Sequence, residues 1–366
     1  MDAEARGGEY TKEDMIREYH KGALKKWALF IACIIGIVLV VGLLALNVYN
    51  GISMSQAYEI IWGHITGVEY EARTTEWWAD RYIWNYAIVY AITAILAGAG
   101  LACCGALMQA LMSNPLADPY STGISSGACL GAMAAMIVGV SVGTLTGTAA
   151  TVVNAFIGAL VPAIIVIILS ERIQMTPATL ILIGTALSMF FNAFTSMLMI
   201  TSDPDTVQEV YYWQVGSFHN VSWSSVPYMA AFTIAGSIVV MFLSSKLNVM
   251  SLGDSTAQSL GINVRRFRTV CLTLMALMTA SIVAFVGIIG FVGLVCPHIV
   301  RLLTGSDNKF VVPISMALGA LLLLVAEWIS MVITSIPVGV VMSAIGAPIF
   351  FLIIVLSKNT GKGAIY

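Results

Sequence analysis

The segment Gly123-Ile124-Ser125-Ser126-Gly127 fits G-x-S-x-G, the pattern in which a strained strand-to-helix turn exposes a nucleophilic serine. That chemistry requires a strand before the turn, a helix after it, and a His and an acid to complete a triad. Both flanks here are apolar and helix-like, and the only His inside an apolar run, His298, has no sequence link to Ser125. An intramembrane serine hydrolase is therefore disfavoured. Cys33, Cys103, Cys104, Cys129, Cys271 and Cys296 all lie within apolar stretches and form no C-x-x-C pair. They read as small hydrophobes rather than as a zinc or redox motif, and no metal site is expected. His298 follows Pro297; its imidazole could ligate a metal or haem, but a lone His beside a proline more often satisfies freed backbone groups. Glu327 is the one carboxylate well inside an apolar run, whereas proton-coupled pumps and secondary transporters usually carry several. It reads as a carboxylate hydrogen-bonded within a bundle. No G-x-x-x-x-G-K-[ST] phosphate cradle exists, since Gly361-Lys362-Gly363 lacks its upstream Gly and its Ser or Thr. The chain is not itself an ATPase.

The elements that must position these residues are membrane helices. Of 366 residues, 59% are hydrophobic and 10% charged, against about a quarter charged in soluble domains. Apolar runs of about 18 to 25 residues match the helical span of a bilayer core. Residues 1–26 are too long and too charged for the n-region of a secretory signal, so the first run is expected to be a retained span. Ten spans are expected: 27–48, 83–112, 123–142, 146–169, 178–200, 227–243, 267–289, a short 291–303, 312–333 and 338–356. The fold class is all-α integral membrane, with a charged tail at 1–26, a helical domain at 27–358 and a second tail at 359–366. Gly123, Gly127 and Gly131 fall four apart and make one helical stripe, which reads as a packing seam.

Charge orients the bundle. With the N-terminus inside, 15 of the 17 Lys and Arg lie in cytoplasmic segments, and only Arg73 and Arg81 lie outside. That bias is the positive-inside pattern for ten spans with both termini cytoplasmic. The formal net charge of -2 and the lack of basic runs interleaved with aromatics give no sign of nucleic-acid binding.

Several blocks together resemble the FecCD family, the permeases of type II ABC importers. They are Ser113-Asn114-Pro115-Leu116-Ala117-Asp118-Pro119 running into Gly123–Ala128, Tyr212-Trp213 with Gly216-Ser217, and Leu252-Gly253-Asp254 with Ala257 and Leu260 through Arg266. Gly290–Leu294 with Pro297-His298-Ile299 and Arg301-Leu302, then Pro337-Val338-Gly339 with Ile345–Pro348, complete the order from about residue 90 to 357. The resemblance implies a permease that pairs with a second copy or a paralogue in the cell membrane. It also implies two ABC ATPase subunits carrying ATP and Mg, and an extracytoplasmic substrate-binding protein; the permease binds no cofactor of its own. The substrate it implies is an iron-siderophore, haem or cobalamin. An ion-coupled secondary transporter is the alternative, disfavoured by the lone carboxylate and by the inner segment at 246–266.

By the same resemblance, ATPase coupling falls on Leu252, Gly253, Asp254, Ala257, Leu260, Gly261, Arg265 and Arg266. The residues themselves suggest a polar stretch of about 20 residues forming two short helices broken at Gly253 and Gly261. The inner translocation gate is implied at Asn114 and Leu116 and at Met175 and Thr176, the latter just before Pro177. Binding-protein docking is implied at Arg81, Trp84 and Trp213. Here the chain departs from the family, which carries R-L-P-R before the second span; the sequence reads Arg81-Tyr82-Ile83-Trp84. Glu59, Glu69, Glu71, Glu76, Asp80, Asp203, Asp205 and Glu209 face two arginines in the outer loops, so a partner with basic groups, or one docking on Trp77, Trp78 and Trp84, is expected.

Overall fold

An apolar chain in lipid has no water to satisfy its peptide groups, so helices that close every backbone hydrogen bond internally are the available spanning form. The computed structural model obeys this. It describes residues 12–173, 176–333 and 336–359, and among them every regular element is helical. In chain order these are α1 (Lys12–Val48), α2 (Met54–Thr66), α3 (Thr75–Tyr82), a π-helical turn (Ile83–Ile88), α4 (Val89–Leu111), α5 (Ile124–Met136), α6 (Gly147–Arg172) and α7 (Pro177–Ile200). They continue as α8 (Pro204–Gln214), α9 (Val226–Met250), α10 (Asp254–Ser259), α11 (Val264–Val286), α12 (Val292–Thr304), α13 (Asn308–Val332) and α14 (Val338–Asn359). Among the described residues, seven apolar helices are long enough to cross a membrane. Three shorter ones, at Ile124–Met136, Val292–Thr304 and Val338–Ile353, hold the places of the third, eighth and tenth expected spans.

Several boundaries differ from expectation for local reasons. The second span does not begin at Ile83: α3, the π turn and α4 are continuous over Thr75–Leu111. The third stops at Met136 rather than 142, because Gly139, Gly143 and Gly147 take positive φ and fold the chain back. The sixth and ninth are longer than their apolar cores, since α9 carries Lys246 and Asn248 and α13 opens with Asn308 and Lys309. The polar segment after α9 holds one short helix, α10, not two; beyond Gly261 the chain leads directly into α11.

α4 lies at the centre, packed by α9, α11, α12 and α13, with α5, α6 and α7 on one flank and α1 and α14 on the other. Its most apolar stretch is 78% buried, against 22% for α7. The glycine stripe does form a seam. A Cβ at Gly127 would lie 2.3 Å from the Gly158 carbonyl oxygen, and one at Gly131 2.1 Å from that of Asn154, so only glycine lets α5 and α6 approach this closely. The nucleophile-elbow reading of Ser125 fails here, because a 3-10 turn (Pro119–Thr122), not a strand, leads into α5.

Candidate coupling and translocation sites

The two ends of the bundle carry different chemistry. At one end, α9 stops at Met250, and Gly253 (φ +97) and Gly261 (φ +83) bracket the six residues of α10. Both conformations lie where a Cβ is strained, so glycine at these positions fixes where α10 begins and ends. Ala257 is fully buried and anchors the helix, while Leu252 and Leu260, 64% and 63% exposed, project from its ends. Arg265 and Arg266 are exposed on the first turn of α11, whose N-terminus is capped by the Asn263 side chain accepting from the Arg266 N–H (3.1 Å). The structure gathers these residues on α10, its flanking glycine turns and the first turn of α11, and a contact with no sequence signal holds them together. Arg268, buried, donates to both carboxylate oxygens of Asp254 at 2.8 and 3.0 Å. The partners are 14 residues apart across Gly261, a spacing with no periodic signature in sequence.

Beside this pair a cavity of about 470 Å³ opens between the C-terminus of α6 and the start of α7 on one wall and α10–α11 on the other. Thr176 lines it together with Asp254, Gln258 and Arg268. Thr176 caps α7, accepting from the Thr179 N–H at 3.2 Å, and Pro177 opens the helix, where its missing N–H costs nothing. Met175 lies outside the described residues. The other expected gate segment is a tight connection. The Asn114 side chain accepts from the Leu116 N–H at 2.9 Å, Leu116 is 52% exposed, and Ser113 Oγ donates to the Met250 carbonyl at 3.3 Å. No hydrogen bond among the described residues joins Asn114 to Thr176; Asn114's neighbour Ser113 is bonded to the end of α9, and Thr176 shares its cavity with α10 and α11.

A polar network unsuspected from sequence closes the same end. Asn248 donates to Asp307 Oδ1 (2.8 Å) and accepts from the Asn308 N–H (2.7 Å), while buried Arg301 donates to Asn308 Oδ1 (3.2 Å) and to the Ala106 carbonyl (3.3 Å). The His298 expectation needs correction. The ring is buried, and neither nitrogen has a hydrogen-bond partner among the described residues, so it does not satisfy backbone groups freed by Pro297. Glu327 is 5% exposed near the end of α13, and no hydrogen bond to it occurs among the described residues, contrary to expectation. No group of three or more potential metal-ligating side chains occurs among the described residues either.

At the opposite end the three expected docking residues lie in two settings. The Arg81 guanidinium, exposed, sits 4.1 Å over the Trp77 ring, a cation–π contact. Trp84 stacks between His64 (3.9 Å) and Trp223 (5.0 Å), and the indole of Trp223 donates to the Trp84 carbonyl (3.2 Å). His64 Nδ1 lies 2.6 Å from Asp80 Oδ1, joining α2 to α3. Half-buried Trp213 belongs instead to α8, on the wall of a cavity of about 850 Å³ shared with Asp205, Glu209, Tyr212 and His219. Asp203 caps α8; hydrogen bonds from the Thr206 N–H (3.0 Å) and hydroxyl (2.8 Å) hold its carboxyl below the ordinary carboxylate range, so its charge persists there.

Comparison with known proteins agrees with this architecture. Residues 31–356 match the profile of the FecCD transport family. The chain is 34% identical to the vitamin B12 import system permease protein BtuC of Vibrio cholerae over 202 residues, 54% of this chain and 60% of that one. It is 36% identical to the cobalamin import system permease protein BtuC of Halobacterium salinarum over 178 residues, 48% of each. To the Fe(3+) dicitrate transport system permease protein FecC of Escherichia coli it is 34% identical over 174 residues, 47% of this chain and 52% of that one. The matched regions thus span about half the length of the curated relatives. A solved structure described as an inward-facing conformation of a metal-chelate type ABC transporter shares the fold, with a TM-score of 0.76, 24% identity, and coverage of 89% of this chain and 98% of that one. With a profile match across most of its length and the same helical fold, the chain belongs to the FecCD transport family.

Proposed function

We propose that this chain is the permease subunit of an ATP-binding-cassette importer in the cell membrane, carrying a bulky metal chelate: an iron-siderophore, haem or a corrinoid. The observation that carries this reading, beyond family membership, is α10. It is a short helix with a buried anchor at Ala257, exposed apolar ends at Leu252 and Leu260, and adjoining exposed arginines, on the side that the charge bias makes cytoplasmic. Such an element has no packing reason to leave the bilayer and is suited to a groove on a partner. The partner is an ABC ATPase, two copies per importer, and ATP and Mg act there. The second permease, identical or paralogous, meets α7. A substrate-binding protein docks at the opposite end, over Arg81, Trp84 and Trp213, against a field set by the excess of acids.

The test is reconstitution. The chain, co-expressed with its genomic neighbour ATPase and binding protein, should form a complex that hydrolyses ATP and takes up labelled cobalamin, haem or a ferric chelate into proteoliposomes. Uptake driven by an ion gradient without the ATPase would sink the proposal.

A further inference from the structure

An ion pair between buried Arg268 and half-exposed Asp254 joins α10 to α11. α10 is only six residues long and is bracketed by Gly253 and Gly261, at each of which a Cβ would meet nothing within 4 Å. Such a helix can pivot at both ends. A push on it would then be absorbed by the two glycine turns and would not reach the bundle. Ala257, the one fully buried residue of α10, offers a single methyl group against such motion.

The Asp254–Arg268 pair removes that freedom. Asp254 is the first residue of α10, and Arg268 lies on the second turn of α11, a helix 23 residues long that runs to Gly287 at the far end. A single guanidinium nitrogen, Nη2, donates to both carboxylate oxygens at 2.8 and 3.0 Å, a charge-assisted contact that ties the start of α10 to α11. The Arg268 side chain is 7% exposed and that of Asp254 46%. Among the described residues the carboxylate is the only hydrogen-bond partner of the guanidinium. The same two residues line the cavity of about 470 Å³ whose other wall holds Arg172, Ile173 and Thr176, the N-cap of α7.

We infer that Asp254 and Arg268 are a positioning lock: they make α10 and α11 move as one body, so that displacement of α10 changes the cavity and moves the start of α7. The inference rests on the proposed function, since the push comes from the partner ATPase. Both are positioning residues that act through α7.

The informative variant is Arg268→Met. It removes the buried cation and leaves Asp254 half in water, whereas a change at Asp254 alone would strand an unpaired buried charge. In proteoliposomes holding the full complex, Arg268→Met should bind the ATPase and hydrolyse ATP as wild type does, while substrate moved per ATP falls about fivefold or more. Arg268→Lys should keep most of that ratio. As an independent arm, Asp254→Cys with Arg268→Cys is measured before and after bridging by a short bifunctional maleimide. The native cysteines among the described residues are buried and do not compete. Bridging should restore the ratio within the same preparation.

An unchanged ratio in Arg268→Met overturns the lock, and so does a bridge that restores nothing. Loss of ATPase binding in Arg268→Met also overturns it, because the pair would then be a docking contact. Failure of the wild-type chain to bind or couple to any ATPase defeats the proposed function instead, so the two failures are distinguishable.

Discussion

Gly261 shows how one backbone angle sets the outcome of a substitution. A Cβ there would meet nothing within 4 Å, so sterics with neighbours predict tolerance. Its φ of +83 predicts the opposite, since a β-branched side chain in the left-handed region costs about 1–2 kcal/mol and is relieved by redirecting the chain into α11. Gly261→Val should therefore express normally but hydrolyse ATP with reduced uptake, measured as substrate moved per ATP; wild-type uptake would argue against this geometry. Arg81 is the second case. Its guanidinium is engaged with Trp77, and the loops around it hold eight acids against two arginines. Charge reversal at Glu71 and Glu76 should slow association of the binding protein more than Arg81→Glu does. Raising salt should slow the wild-type on-rate, with a Debye length of about 8 Å at physiological strength. Abolition of docking by Arg81→Glu alone, with silent acidic reversals, would contradict the inverted polarity.

Among the helices, α5 and α6 make the most exacting prediction. A side chain at Gly131 must displace the Asn154 carbonyl, which a Cβ would approach to 2.1 Å, so Gly131→Leu should lower stability by about 1–3 kcal/mol or more. A shift of the melting temperature in detergent would read this out, and an unchanged melt would mean the seam is loose. α10 is checked by topology. A cysteine in place of exposed Ser255 should react with an impermeant thiol reagent only from the cytoplasmic side, over a background of buried native cysteines among the described residues. Most spans were legible because runs such as Ala23–Val48 and Val264–Val286 exceed what any other environment tolerates. The glycine stripe was legible as well, because small residues four apart have few other uses in lipid. α2, α3 and α8 were not, since such short helices carry neither a long apolar run nor a strict period. The Asp254–Arg268 pair and the Asn248–Asp307–Asn308–Arg301 network were illegible for a different reason. They join polar residues across turns or between helices, at spacings set by the fold alone.

At the scale of the molecule, α7 is the least covered of the long helices, with Leu182, Met189, Met197 and Ile200 between 67% and 85% exposed. If the second permease covers this face, Met189→Cys should cross-link two protomers in membranes, and a purely monomeric band would point to lipid instead. The long helix from Thr75 to Leu111 changes phase partway along its length. A π turn holds more residues than an α turn, so the segment Ile83–Ile88 offsets the angular clock of everything before it relative to α4. An apolar stripe counted continuously across that point falls out of step. The same offset brings Trp84 against Trp223, while Tyr82, Tyr86 and Tyr90 keep ring contact along the helix at 6.0 and 6.3 Å. Removing Asn85 would take out the extra residue and let the turn close as ordinary α-helix, which changes the register only of the residues within it. Trp84, inside the turn, would then shift while α4 kept its place, and the loss of the Trp84–Trp223 stack should be visible in the near-ultraviolet circular dichroism.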